Sequence, residues 1–182
     1  MRCAAWVCLR VRMPSSRPIF VIQKHAATTL HYDFRLEVDG VLKSWAVPKG
    51  PSTDPREKRL AMAVEDHDLD HAGFEGVIKG ERRTSAVIVW DTGPYRNRTE
   101  RDGSGIPIGR ALADGHAVVE LEGRKLRGRY ALTRTDTEPR ERWLLVKVRD
   151  EAADAQRDPV STQPESVLTG RTIEQVAAGE SA

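Results

Sequence analysis

The side chains best able to do chemistry in this chain stand close together: His25, His31 and Asp33, followed by Arg35. His31 and Asp33 are separated by one residue, so on an extended strand both emerge on one face, about 7 Å apart. An imidazole nitrogen beside a carboxylate oxygen suits manganese, zinc or ferrous iron. Arg35 continues the row and sets a fixed cation next to such an ion, where two parallel N–H bonds could hold a phosphate oxygen pair. His25, at the preceding turn or strand end, can fold back as a third ligand. One histidine alone would be explained as well by a solvated strand face. The whole His/His/Asp/Arg set is better explained as a site.

A second cluster is Glu65-Asp66-His67, ending a stretch that begins near Arg59. His67 lies at an element edge, where side chains commonly converge on a pocket. His71 carries a weaker signal, and His116 reads as a surface strand residue. Lys49 and Arg59 are plain charges whose value depends on whether the fold brings them to the ion. A metal with one open side polarises an oxygen and activates water, and neighbouring cations stabilise charge spreading over a phosphoryl group. No Ser-His-Asp set, phosphate-cradling glycine loop or dinucleotide fingerprint competes. A rival does: His31 and Asp33 with a distant His67 or His116 also fit the facial triad of non-haem Fe(II) oxygenases. Arg35 and His25 suit phosphate chemistry better, and spacing alone leaves both open.

The elements that must position these residues are strands. Leu30, Tyr32, Phe34, Leu36 and Val38 alternate with His31, Asp33, Arg35, Glu37 and Asp39, the period of a half-buried strand. Asp39-Gly40 predicts a two-residue hairpin turn, and Val41 to Val47 returns antiparallel to it. Pro48-Lys49-Gly50-Pro51 then breaks the strand. Further strands are predicted at Arg59 to Glu65, Ala86 to Asp91, His116 to Leu121, Gly128 to Thr135 and Trp143 to Arg149. No amphipathic helix is predicted before Ile173 to Ala178. Many short strands between Gly/Pro turns make an all-β chain, an antiparallel barrel or sandwich. Arg96 to Gly109 reads as a mobile surface loop.

With 182 residues, the chain has room for one domain with a proper core and tails. Residues 1–18 read as a flexible lead-in, and a start at Met13 would leave out the first twelve. Residues 19–150 read as the domain, and 151–182 as a linker-like tail with a short helix. Net charge is +2, so any polyanion site must come from local clustering. Cys3 and Cys8 both lie in the lead-in, which excludes a disulfide framework and a thiolate zinc site in the domain. No apolar run is long enough to span a bilayer, and a cytoplasmic location follows as the default.

Several segments carry a family resemblance. They are Phe20-Val21-Ile22-Gln23-Lys24-His25, Leu30-His31-Tyr32-Asp33-Phe34-Arg35-Leu36, and the run from Asp39 to Gly50 with Ser44-Trp45-Ala46-Val47-Pro48-Lys49. Val64-Glu65-Asp66-His67, Val89-Trp90-Asp91-Thr92-Gly93 and Trp143-Leu144-Leu145-Val146-Lys147 continue it, as does Ser166-Val167-Leu168-Thr169-Gly170-Arg171-Thr172. Together they resemble the 3′-phosphoesterase domain of bacterial DNA ligase D, from about Ile19 to Ala178. The resemblance implies a compact antiparallel β-barrel with short peripheral helices. It implies a manganese enzyme (zinc or another divalent ion could substitute) that removes a 3′-phosphate, or trims a 3′-ribonucleotide, at DNA or RNA ends in repair by non-homologous end joining. It assigns His25, His31 and Asp33 to the metal, Arg35 and His67 to the scissile phosphate, and Lys49 and Arg59 to the active site. Glu65 would orient a neighbour, and His71 would meet substrate. Since family domains are usually fused to ligase and polymerase modules, a separately encoded ligase or repair polymerase is the expected partner, with no membrane.

Three departures qualify the resemblance. The upstream Arg-Asp pair and glutamate that accompany ribonucleotide trimming have no counterpart before Ile19. His71 stands where many members carry tyrosine. The usual glycine-rich turn after Phe74-Glu75-Gly76 is replaced by a shorter Lys79 to Ser85 stretch. A DNA-end-binding module with weakened catalysis is therefore the alternative to an active enzyme.

Overall fold

The structure, a computed structural model, describes residues 17–80 and 84–179. Most of the expected lead-in, with Cys3 and Cys8, and residues 81–83 of the shortened turn lie outside the described residues. The strands are β1 (Ile19–Ala26), β2 (Leu30–Val38), β3 (Val41–Val47), β4 (Lys58–Asp68), β5 (Gly76–Lys79), β6 (Thr84–Asn97), β7 (Glu100–Arg101), β8 (Ser104–Gly105), β9 (His116–Glu122), β10 (Arg127–Asp136) and β11 (Arg142–Lys147). The helices are short: α1 (Ile108–Ala113), α2 (Pro159–Thr162) and α3 (Ile173–Ala177). Eight strands close an antiparallel barrel in the order β1-β2-β3-β4-β11-β10-β9-β6, with β6 pairing back to β1. Closure removes the free edges that an open sheet would expose, and β5 extends from β6 beyond the ring. The all-β barrel with short peripheral helices is thus the fold expected from the sequence.

The hairpin between β2 and β3 turns at Asp39 (φ 49°) and Gly40 (φ 85°), both in the left-handed region that such a turn requires. Tyr32, Phe34, Leu36 and Val38 point into the barrel, where they meet Phe20, Ile22, Trp45, Trp90, Tyr130 and Trp143. The other face of the same strands is also covered. Val21, Leu42 and Val89 form a small apolar cluster there, under Leu69 and Ala72 of a 3₁₀ turn (Leu69–Gly73) and Val167.

Two register shifts interrupt this region. Ile22 pairs with Asp91 and Gln23 with Val89, so Trp90 is an extra residue on β6. Leu42 pairs with His67 and Ser44 with Val64, so β4 carries one residue more than β3 between these pairs. Bulges of this kind re-aim side chains and gather beside functional sites.

Several expectations need correction. The 96–109 stretch is not a free loop: it holds the end of β6, the β7–β8 hairpin and the start of α1. Asn97 donates to the Ile106 carbonyl (2.6 Å), and Ile106 packs on the core. Helix α1 precedes the C-terminal helix and closes one end of the barrel with Ala111 and Leu112. Six residues are too few for a helical period to show. The segment after Asp150 is no slack linker either. Thr53 donates to the Asp154 and Arg157 carbonyls, and the Trp90 indole and the Lys125 ammonium both donate to the Gln163 carbonyl. Its backbone groups, invisible to composition, make these bonds. At Gly50 (φ 71°) a Cβ would stand 2.8 Å from Val160, so the β3–β4 loop needs glycine where the tail crosses it. No described helix is long and apolar enough to cross a membrane.

Candidate metal centre and anion pocket

The outer face of β1 and β2 brings His25, His31 and Asp33 together, with ligand atoms all within 4.8 Å of one another. His25 and His31 are cross-strand partners, and Asp33 pairs with Gln23. The Asp33 carboxylate lies 3.5 Å from His25 Nδ1 and 3.5 Å from His31 Nε2. His31 Nδ1 stands 3.1 Å from the Thr29 carbonyl, an acceptor only, so Nδ1 carries a proton. Nε2, on the Asp33 side, is the nitrogen that would ligate an ion on giving up its own proton. His25 Nε2 is buried with no hydrogen-bond partner among the described residues. Two imidazoles, one carboxylate and an orphaned ring nitrogen fit a divalent transition ion.

The electrostatics agree. Burial opposes charge on Asp33, but hydrogen bonds from His25 and His31 and the charge of Arg35 outweigh it, holding the carboxyl well below its usual range. The bond to Asp33 raises the His31 pKa against the opposing effect of burial.

Arg35 is the hub of the adjoining pocket. Its side chain is 4% exposed, and burial lowers its pKa while Asp33 opposes that shift. Nε donates to Gln23 Oε1 (2.8 Å), Nη1 donates to Ser44 Oγ (2.7 Å) and meets His67 Nδ1 (3.0 Å), and Nη2 lies 3.3 Å from Asp33. Most of the five donors are therefore committed, which leaves Nη2 to reach an oxyanion. The two-pronged grip expected from the residue type alone is not what this geometry offers.

His67 Nδ1 also lies 2.9 Å from the Glu65 carbonyl. It cannot accept from Arg35 and donate to Glu65 at once. The guanidinium has only protons to offer, so Nδ1 carries the lone pair and Nε2 the proton. His67 and His71 face each other with ring centroids 4.8 Å apart, and His71 stacks on Phe74 at 5.5 Å and 12°. Burial, then Arg35 and His67, lower the His71 pKa. Both histidines line a cleft of about 500 Å³ with Phe74, Glu65, Asp66, Asp68 and Asp70.

The β4 bulge makes this arrangement. Arg59, Ala61 and Ala63 share one parity, and Ala61 is buried in the core. A regular strand would send His67 inward as well. The extra residue between Val64 and His67 turns His67 outward to Arg35. Arg59, on the inner-facing side, pairs instead with Glu57 (2.5 Å), and its Nε is buried with no hydrogen-bond partner among the described residues. Lys49 is exposed on the loop after β3. Neither is hydrogen-bonded to the cluster among the described residues. Glu65 meets His67 through its backbone carbonyl, and its side chain is exposed. His116 stands on β9 against Thr133, outside the His25/His31/Asp33 group, and His67 is engaged with Arg35. Neither therefore joins Asp33 as the facial-triad alternative expected; the second histidine that converges with His31 and Asp33 is His25.

Sequence reasoning passed over Gln23 and Ser44. Gln23 is fully buried; beyond accepting from Arg35, it donates to the carbonyls of His71 (2.9 Å) and Phe74 (3.2 Å). Its place two residues before His25, on the same strand face, was the available signal.

The family described as the DNA Ligase D 3′-phosphoesterase domain matches residues 23–134. A Pseudomonas aeruginosa protein named "Multifunctional non-homologous end joining protein LigD" is 48% identical over 159 residues, 85% of this chain and 18% of that protein. A Mycobacterium tuberculosis protein, "Multifunctional non-homologous end joining DNA repair protein LigD", is 40% identical over 146 residues, 76% of this chain and 18% of that protein. A Mycolicibacterium smegmatis relative is 41% identical over 136 residues, 72% of this chain and 17% of its own length. The chain thus spans less than a fifth of each relative. On the domain match and these identities, the chain belongs to the DNA ligase D 3′-phosphoesterase domain family.

Proposed function

We propose that this protein is a metal-dependent phosphoesterase acting on 3′ ends of DNA or RNA in end-joining repair, with manganese as the working ion. The observation that carries the reading is the junction of two half-sites on one sheet face: the His25/His31/Asp33 donor set and the Arg35–His67 pair, linked by the 3.3 Å approach of Arg35 to Asp33. The relatives' names, which specify non-homologous end joining, support the repair role.

His25, His31 and Asp33 would hold the ion. Bound there, it would supply Lewis acidity and a water poised for attack. The chain's own residues do the rest. Arg35 Nη2 places one donor on a non-bridging phosphoryl oxygen, and its fixed charge compensates charge that grows in the transition state. Gln23 and Ser44 hold that guanidinium in place before substrate arrives. The Nε2–H of His67 donates a hydrogen bond to a phosphoryl oxygen or to the departing 3′ oxygen and eases the charge that builds there. The proton that makes the leaving group an alcohol comes from the attacking water or solvent. His71 lines the same cleft and contributes a second imidazole edge to substrate.

The test is an oligonucleotide with a 3′-phosphate incubated with purified protein and Mn²⁺. Inorganic phosphate should be released, a chelator should stop it, and His31→Ala should abolish it. No release by the wild type, or equal release by His31→Ala, ends the reading. Salt-sensitive binding of ends without product would support the end-binding module instead. A 3′-ribonucleotide end, tested in parallel, defines substrate preference.

A further inference from the structure

The Ser166 to Thr172 segment lies beyond the barrel strands and takes no part in the chemistry above, yet it is tied to the anion pocket. Ser166 to Arg171 forms a tight turn: Ser166 N donates to the Arg171 carbonyl (2.8 Å), Gly170 N donates to the Ser166 carbonyl (3.1 Å), and Gly170 has φ 73°. Ser166 Oγ accepts from the backbone N–H groups of Leu168 (2.9 Å) and Thr169 (3.0 Å). With its acceptor side filled, the hydroxyl proton goes to Glu75 Oε1 in a short bond. Val167 N donates to the Val89 carbonyl (3.0 Å), and Arg124 Nη1 donates to the Val167 carbonyl (2.8 Å). The Val167 side chain sits on Val21, Leu42 and Val89, the outer-face cluster that Leu69 and Ala72 of the 3₁₀ turn also cover.

Glu75 is where the two segments meet. Its carboxylate is 6% exposed and accepts from Val89 N (2.8 Å), Ser166 Oγ and Thr169 Oγ1 (2.7 Å), with Arg171 at 3.8 Å. It directly follows Phe74, whose ring stacks on His71 and whose carbonyl accepts from Gln23. The 69–75 stretch is therefore held by Gln23 at the His71 and Phe74 carbonyls and by Glu75 at its end.

We infer that Glu75 is a positioning residue for the anion pocket, and that the 166–171 turn, without lining that pocket itself, fixes His71 against His67 through Glu75. This deepens the proposed phosphoesterase reading and rests on it. The ligand concerned is a phosphate group, inorganic or terminal. Among the described residues, no hydrogen bond or ion pair joins His25, His31 or Asp33 to Glu75 or Ser166.

The experiment separates the two halves. Wild type, Glu75→Ala, Glu75→Gln and Ser166→Ala are titrated as metal-free protein with inorganic phosphate, followed by the imidazole NMR signals of His67 and His71. Mn²⁺ affinity is measured separately by calorimetry. Phosphate affinity should fall about tenfold in Glu75→Ala and less in Ser166→Ala, since small displacements of a positioned group cost this much or more. Glu75→Gln, which keeps an acceptor for Ser166 and Val89, should recover most of the loss, and Mn²⁺ affinity should stay within about twofold throughout. Wild-type phosphate affinity in Glu75→Ala overturns the inference, and so does a parallel loss of Mn²⁺ and phosphate binding, which would mean general collapse. Absence of 3′-phosphatase activity in the wild type would defeat the enzymatic reading while leaving these titrations interpretable.

Discussion

The two faces of β2 differ in chemistry but not in burial. Tyr32, Phe34 and Leu36 fill the barrel interior; Asp33 and Arg35, between them, are 6% and 3% exposed on the outside. On the inner face, burial is favourable by itself, because apolar area leaves water. On the outer face it opposes charge, and each ionised group is offset by a partner: Asp33 by two histidines and Arg35, Arg35 by Gln23 and Ser44. One strand thus holds a fold on one side and a preorganised charge system on the other. Substitutions a single residue apart should fail in different ways.

The largest effect should come from the inner face. Phe34→Ala is expected to cost about 3–5 kcal/mol of stability by opening a cavity, measured by denaturant unfolding. A loss under about 1 kcal/mol would mean that the core does not depend on this strand in the way described. On the outer face, His31→Ala should lower Mn²⁺ affinity by about a hundredfold, read by calorimetry, while the fold survives. Loss of cooperative unfolding in that variant would erase the division between faces. His67→Ala should reduce kcat about a hundredfold with Mn²⁺ affinity unchanged, sharpening the line between ion and anion halves. The smallest effect concerns protons. Burial, then the charge of Arg35 and the neighbouring His67 ring, depress the folded-state pKa of His71. Below its ordinary value of about 6.5 the unfolded chain binds more protons than the folded one. Stability linked to His71 is therefore present above that pH and is lost as pH falls through the folded value. An NMR titration placing the His71 ring above 6.5 in the free protein would contradict this.

Much of the outer face was legible because a strand has period two. His31, Asp33 and Arg35 had to share a face, and Asp39-Gly40 had to turn the chain. What alternation hid was that both faces are covered, because the covering comes from the 3₁₀ turn and the tail, far away in sequence. It hid Gln23, a neutral side chain whose importance lies entirely in its three hydrogen-bond partners. It also suggested no difference between Arg59 and His67, which have the same parity and stand on opposite faces. The resemblance grouped Lys49 and Arg59 with the site, and among the described residues neither is hydrogen-bonded to the cluster.

The extra residue in β4 has a consequence for how this chain can vary. Side-chain alternation gives a strand something like a reading frame, and the 64–67 stretch shifts it once, just before His67. The number of residues there is itself functional information, independent of their identities. A chain that kept every functional residue but lost one position between Val64 and His67 would present His67 to the barrel interior and leave Arg35 without its imidazole. Length variation, harmless in most surface connections, acts here as a switch between an assembled pocket and a disassembled one.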